Sequence, residues 1–254
     1  PVSRGPGFPA QAIEEVEERW NDRTRLLLGE SAAARLAAAR VFIAGVGGVG
    51  GYAAEMLARS GVGHLTLVDA DCVSVTNLNR QIIAVIPDIG KPKTDLFERR
   101  FLDINPEISV TPLREFISPD NVADMLSEGF DYVIDAIDTV APKVDLLAHC
   151  LREKIPVISS MGAGGRVDPT KAGYFDLWET REDGLARAVR QRLKKIGLRR
   201  RLDVVASSEA PRSGAVIELD ERNKRSSYGT IATIPSVFGI LLAAKVINNL
   251  TSKA

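Results

Sequence analysis

The chain has 254 residues, 45% hydrophobic and 26% charged, with 33 basic and 33 acidic side chains and a formal net charge of zero. These are ordinary values for a globular protein with a sizeable core, and they exclude a uniformly basic or low-complexity chain, so any nucleic-acid partner must be met by local charge. Two cysteines, Cys72 and Cys150, are too few for a disulfide framework or a cysteine-only zinc site; they fit a reducing cytoplasm, and neither a signal peptide nor an apolar run of membrane-spanning length is read.

In chain order, residues 1–30 read as an N-terminal arm. Pro1 to Pro9 is a flexible Pro/Gly lead, and Glu14 to Glu18 an acidic helical segment. Arg19, Arg23 and Arg25 then stand just ahead of the apolar Leu26-Leu-Leu28. Ser31 is placed to cap an Ala-rich helix, Ala32 to Ala39. Val41 to Ala44 is a continuous apolar run, as in a parallel strand covered on both faces. Glycines follow at 45, 47, 48 and 50, then a helical pattern that stops near Ser60-Gly61, then a second strand from His64 to Asp69.

Residues 71–81 form a polar loop. Lys91 to Asn105 is helical, Ile108 to Leu113 a strand, and Pro119 to Glu128 a helix. Tyr132 to Ile137 is a buried strand, Val140 to Lys154 a helix, and Pro156 to Ser160 a strand. The alternation predicts an α/β fold with a doubly wound, mainly parallel Rossmann-like sheet; the nucleotide-binding core spans 31–162, with an appended C-terminal portion at 163–254, all in one domain. In that portion two strands, 172–178 and 203–208, flank a basic helix, Leu185 to Arg201. Pro211 to Tyr228 is polar, mixed in charge and the best candidate for a mobile loop; Pro235 to Leu250 is the closing, docked helix.

Strand, glycine turn and helix N-terminus make an anion site. Gly45, Gly47, Gly48 and Gly50 let backbone approach a phosphate, and the first helical turn supplies unpaired N–H groups and a positive dipole end. Asp69 ends the next strand, where a carboxylate holds a ribose. Alone this suits a nicotinamide or flavin site equally well. Strand carboxyl ends gather on one edge, however, and bring Asp138 and the cations Arg80 and Lys93 to the same crevice. Two cations for terminal phosphates and a second acid for Mg²⁺ suit a nucleoside triphosphate. No Walker pattern is present.

With Gly45-x-Gly-Gly-x-Gly50, Asp69-x-Asp71, Asn77-Leu-Asn-Arg-Gln81, Gly90-x-Pro-Lys93 and Asp135-x-x-Asp138, the chain resembles the ThiF/MoeB type of ubiquitin-activating-like adenylyltransferase from about Arg19 onward. The resemblance implies that ATP adenylates a carboxylate and releases pyrophosphate. It implies that the glycine turn and the Asp69–Asp71 segment bind the nucleotide, that Asn77, Arg80 and Lys93 contact phosphates, and that Asp138 carries Mg²⁺. It implies a homodimer in which Arg23 reaches the partner's ATP, with Arg19 and Arg25 as alternatives.

The chain departs from the family's sulfur-handling branches. It lacks their paired CxxC motifs, and 211–228 holds no cysteine. Ser159 to Gly164, Asp168-Pro-Thr170, Ser207 to Pro211 and the basic helix instead resemble the tRNA-directed dehydratase branch. Its members close a ring on threonylcarbamoyladenosine beside the anticodon. Between Leu185 and Arg201, Leu185, Val189, Leu193 and Ile196 form an apolar stripe, while eight cations run without an acid: Arg187, Arg190, Arg192, Lys194, Lys195, Arg199, Arg200 and Arg201. From this run Arg190, Lys194, Lys195, Arg199, Arg200 and Arg201 are the candidate tRNA contacts. Two other readings stand beside this one. The chain could be an adenylyltransferase for a ubiquitin-like sulfur carrier, or a non-catalytic nucleotide-binding module; a sulfur-relay protein is a candidate partner beside tRNA.

Overall fold

A computed structural model of the chain describes residues 18–221 and 224–252. The expectations for Pro1–Pro9 and for most of the acidic segment lie outside these residues. In chain order the elements are α1 (Asp22–Leu28), α2 (Glu30–Ala38), β1 (Arg40–Ala44), α3 (Gly50–Arg59), β2 (His64–Val68), α4 (Lys93–Leu102), β3 (Ser109–Leu113), α5 (Val122–Met125), β4 (Tyr132–Asp135), α6 (Val140–Glu153), β5 (Val157–Ser160), β6 (Ala172–Asp176), α7 (Gly184–Lys195), β7 (Asp203–Ser207), β8 (Val216–Glu221), β9 (Lys224–Tyr228) and α8 (Thr233–Thr251).

Seven strands form one sheet in the order β3-β2-β1-β4-β5-β7-β6, all parallel except β6, which runs antiparallel to β7. The order reverses between β1 and β4, and that switch point opens a crevice at the carboxyl edge. The apolar run in β1 feeds both faces of the sheet. Val41 and Ile43 join Leu65, Leu67 and Ile134 on the side covered by α3 and α8. Phe42 and Ala44 join Val68, Val133 and Leu146 on the side of α6. Burying a side chain of this size contributes on the order of 1.5–3 kcal/mol, so an acid in place of Ile43 would break the layer.

The closing helix α8 buries Ile234, Phe238, Leu242, Ala243 and Val246. It is long and apolar enough to cross a membrane by length and composition, but these side chains lie in the core beside α3. Contact is close at Gly239, where a Cβ would meet the Val49 carbonyl oxygen at 2.3 Å.

Several local expectations are corrected. Ser31 lies inside α2, whose N-cap is Gly29, and its Oγ accepts from Arg35 Nη1 at 2.8 Å. The helix expected over 119–128 shrinks to α5, because Asn121 closes the preceding turn onto the Ser118 N–H at 2.8 Å. The basic helix ends at Lys195, short of Arg201. Gly197, at φ +75°, stops it: the Leu198 N–H returns to Leu193 O (2.9 Å) and the Gly197 N–H to Lys194 O (3.1 Å). Ile196 is exposed, and Ala186 completes the buried stripe with Val189 and Leu193. The segment read as a mobile loop contains a β-hairpin, β8 paired antiparallel with β9 and shifted in register between Glu218 and Glu221. Its Val216, Ile217 and Tyr228 are strand-favouring residues, a signal that the charges between them obscured.

Candidate nucleotide site

The glycine turn is held by contacts that admit no side chain. Gly45 adopts φ +82° and donates its N–H to Val68 O at 2.7 Å. A Cβ at Gly50 would lie 1.8 Å from Gly45 O. Gly47 is different: it is partly exposed, and a Cβ there would make only an ordinary contact, with Gln81 Nε2 at 3.5 Å. At Gly48 the neighbours are Pro235 and Arg80. The turn delivers the chain into α3, which starts at Gly50 with no acid in its first turn.

Asp69 ties the turn to the next strand. Its Oδ2 accepts the Val46 N–H and its Oδ1 the Asp71 N–H, both at 2.9 Å. Burial pushes its carboxyl above the ordinary range, and Lys93 and the two N–H groups oppose that rise. Lys93 is buried (side chain 4% exposed), with Nζ 2.8 Å from Asp71 Oδ2 and 3.8 Å from Asp69 Oδ1. Backbone pairing sets it there: the Val73 N–H donates to Lys91 O and the Lys93 N–H to Asp71 O, bringing 71–73 against 91–93.

Between these segments the loop folds back on itself. Asn77 is buried and gives its Oδ1 to the Ser74 N–H at 3.0 Å, while its carbonyl accepts from Arg80 and Gln81. Its side-chain oxygen therefore shapes the loop that presents Arg80. Arg80 Nη1 donates to Thr76 O (2.6 Å) and Asn79 Oδ1 (2.9 Å). Gln81 adds a buried amide oxygen with no hydrogen-bond partner, an unmet acceptor beside the turn. A partly exposed glycine turn, a buried lysine and an unmet acceptor fit a nucleotide's phosphates and hydroxyls.

Asp138 is exposed on the turn after β4, and its Oδ1 accepts from Thr139 Oγ1 at 3.2 Å. Beneath it lies a cluster that sequence reasoning missed. Asp135 is fully buried, and its Oδ2 meets Lys143 Nζ and Ser159 Oγ, each at 2.5 Å. The signal was present: Lys143 stands at helical spacing from Leu146, Leu147 and Cys150, on the apolar face of α6. Among the described residues no three His, Cys, Asp or Glu side chains gather as a metal site.

The far wall is built by Arg166, also missed. It is buried and donates to the carbonyls of Gly162, Gly164 (3.2 Å), Glu182 (2.7 Å) and Glu209 (2.9 Å). Asp183 joins the same segment to α7: Oδ2 accepts the Gly162 N–H at 2.9 Å and Oδ1 caps Ala186 at 2.8 Å. The foot of the hairpin closes over it, with the Gly165 N–H on Gly229 O (2.8 Å) and Asn79 Nδ2 on Thr230 O (2.9 Å).

Two sets of predicted residues are not brought to this crevice. α1 packs on α2 at the amino edge of the sheet, so Arg23, exposed on α1, lies across the sheet from its own chain's glycine turn. Arg25 is paired with Glu30. A cleft of about 520 Å³ opens there too, lined by Trp20, Arg25, Gly61, Gly63 and Asn105, at the edge of the sheet away from the glycine turn.

The basic run starts near the crevice, at Asp183, and leads away along the flank to Asp203 at the amino end of β7. Arg187, Arg192, Lys194, Lys195 and Arg199 are exposed. Arg190 is committed inward, with Nη1 on Leu177 O (3.0 Å), Thr180 O (3.1 Å) and Thr180 Oγ1. Arg200 Nη1 donates to Leu151 O at 2.8 Å, Arg201 pairs with Asp203, and Arg199 lies over the Trp178 ring at 5.6 Å.

Comparisons with known proteins bear on the same residues. The ThiF family model matches residues 21–254. The chain is 40% identical over 264 residues to the tRNA threonylcarbamoyladenosine dehydratase of Escherichia coli, covering 94% of this chain and 97% of that one. It is 39% identical over 239 residues to the Bacillus subtilis enzyme of the same name, covering 90% and 93%. The crystal structure of the Escherichia coli dehydratase in complex with ATP superposes with a TM-score of 0.84 at 39% identity, covering 91% of this chain and 93% of that one.

Proposed function

The chain belongs to the ThiF family, and from that premise we propose that it is an ATP-dependent enzyme that cyclises threonylcarbamoyladenosine in tRNA, acting as a single adenylyltransferase domain in the cytoplasm. The observation that carries this reading is Lys93, held buried between Asp69 and Asp71 beside a partly exposed glycine turn.

The substrate carboxylate attacks the α-phosphorus of ATP, forming the acyl adenylate and releasing pyrophosphate. An atom of the same substrate side chain then attacks the acyl carbon. AMP leaves with the carboxylate oxygen, so the ring closes with net loss of one water. This chain's residues bind and orient. The glycine turn and the α3 N-terminus receive phosphates, and Asp69 holds the ribose while fixing the turn through Val46. Lys93 and Arg80 meet the β- and γ-phosphates; Arg80 exchanges its carbonyl contact at Thr76 for a phosphate. Asp138 holds Mg²⁺, which when bound supplies neutralising charge to the pyrophosphate leaving group. Arg23 serves the crevice of a second protomer in a homodimer, which its position at the opposite edge supports. The exposed cations of α7 and the segment after it meet tRNA backbone, Lys194, Lys195 and Arg199 first among them.

Sulfur-carrier chemistry finds little support. Such a route needs an activated thiolate. Cys150 is buried in α6, and burial, with the Asp135 carboxylate nearby, pushes its thiol up to about 12. Cys72 is exposed and directly follows Asp71.

The test combines protein, ATP and Mg²⁺ with tRNA carrying the linear modification. AMP and pyrophosphate should form together with a nucleoside lighter by one water in the digested tRNA. Pyrophosphate release that responds to a ubiquitin-like carrier protein and not to tRNA would overturn the proposal.

A further inference from the structure

The β4 strand reads Tyr-Val-Ile-Asp and is buried at every position, so Asp135 occupies a place where an apolar side chain would continue the core. Lys143, in the first turns of α6, and Ser159, at the end of β5, are buried with it. The three close a ring: Lys143 Nζ to Asp135 Oδ2 (2.5 Å), Ser159 Oγ to Asp135 Oδ2 (2.5 Å) and Lys143 Nζ to Ser159 Oγ (3.1 Å). A buried pair of this kind is a poor source of stability, because desolvation of both charges offsets their attraction and apolar side chains of similar volume often do as well. What the ring holds is the chain that follows. Asp135 Oδ1 accepts the Ile137 N–H at 3.1 Å, while the Ala136 N–H donates to Ala44 O at 2.8 Å. Ala136 O in turn lies 3.0 Å from where a Cβ on Gly45 would sit. The turn from Ala136 to Asp138 is thus gripped by the ring on one side and abuts the glycine turn on the other.

We propose that Asp135, Lys143 and Ser159 are positioning residues for adenylation, fixing the β4–α6 turn so that Asp138 stands in register with the glycine turn. None of them touches substrate; they act through the backbone of Ala136 and Ile137. The inference rests on the adenylation reading given above. It assigns the buried lysine the task of holding Asp135 in one orientation, with both oxygens committed, one to the ring and one to the turn.

The test is the triple variant Asp135→Leu, Lys143→Met, Ser159→Ala, which removes the ring without leaving a buried charge alone, assayed beside wild type and Ser159→Ala. Three quantities are read: kcat for tRNA-dependent pyrophosphate release, KM for ATP, and the exchange rate of the Ile137 amide. The triple variant should keep a wild-type melting temperature and a KM for ATP within about threefold. Its kcat should fall about 100-fold, the scale of a 1 Å misplacement in an active site. The Ile137 amide should exchange at least about tenfold faster, the loss of one retained hydrogen bond. Ser159→Ala, which keeps the ion pair, should fold and lose kcat by about tenfold at unchanged KM; it carries the test should the triple variant not fold. Wild-type kcat and slow Ile137 exchange in a folded variant would overturn the inference. A wild-type protein that releases no pyrophosphate would overturn the adenylation reading instead, and the exchange rate would still decide whether the ring holds the turn.

Discussion

The crevice at the carboxyl edge and the basic flank along α7 both present cations, but in opposite ways. Lys93 is buried, and two acids and the pairing of 71–73 with 91–93 fix its position. Lys194 and Lys195 are exposed on a helix end whose apolar stripe would hold whatever the outer face carried. A charge installed at the cost of burial is part of a mechanism or of its support. A charge in water can be exchanged with modest effect. The same division runs through the flank itself, where Arg190 binds the Leu177 and Thr180 carbonyls while Arg187, Arg192 and the two lysines are exposed.

Breaking the crevice should give the largest effects. Lys93→Ala and Asp138→Ala should each lower AMP formation by two to three decades, the usual loss when one preorganised charge contact at a transferring group is removed; single-turnover assays at saturating tRNA measure this. Gly50→Ala should abolish ATP binding by calorimetry, because its Cβ would lie 1.8 Å from Gly45 O and the turn must open to admit it. Retained affinity would mean that the turn is softer than its contacts indicate.

Replacing Lys194, Lys195 and Arg199 with Ala should weaken tRNA binding and reduce the log–log salt slope by roughly 1.5 if about two of them touch phosphates, leaving ATP affinity unchanged. Arg190→Ala sharpens the comparison. It should cost about 1–3 kcal/mol of folding stability through the lost donor to Thr180 O, while Leu177 O keeps its bond from Thr180 Oγ1, with the salt slope unaltered. The smallest effect belongs to Cys72→Ser combined with Cys150→Ser, which should leave ring formation within about twofold of wild type. AMP release without the cyclic product would instead require a covalent cysteine step.

What could be read from residues alone follows the same line. The first strand, the glycine turn and Asp69 were legible because period and glycine placement admit few alternatives. Lys93 was legible as a cation at the crevice, though not as a buried one. The Asp135–Lys143–Ser159 ring was not found because its members come from three elements and meet only once the sheet is built. The hairpin was misjudged because charges cluster where its strands meet, at Asp220-Glu221 and Lys224-Arg225, and read as loop. Arg190 looked like its neighbours in sequence; a one-dimensional charge run does not say which way each residue of a helix points.

The contact between α8 and α3 bears on how this protein is made. Pro235 lies against Gly48, and Gly239 against the backbone of Val49 and Ala53, so the helix that follows the glycine turn is backed by residues nearly two hundred positions further on. During synthesis the glycine turn, Asp69 and Lys93 leave the ribosome long before that backing exists. The part of α3 that α8 covers is then bare, and a nascent chain halted before Thr233 carries every crevice side chain without the wall behind the turn. Ribosomes stalled at successive lengths should therefore yield chains that acquire ATP binding only as α8 emerges, and until then the exposed α3 face is a natural place for a chaperone to hold.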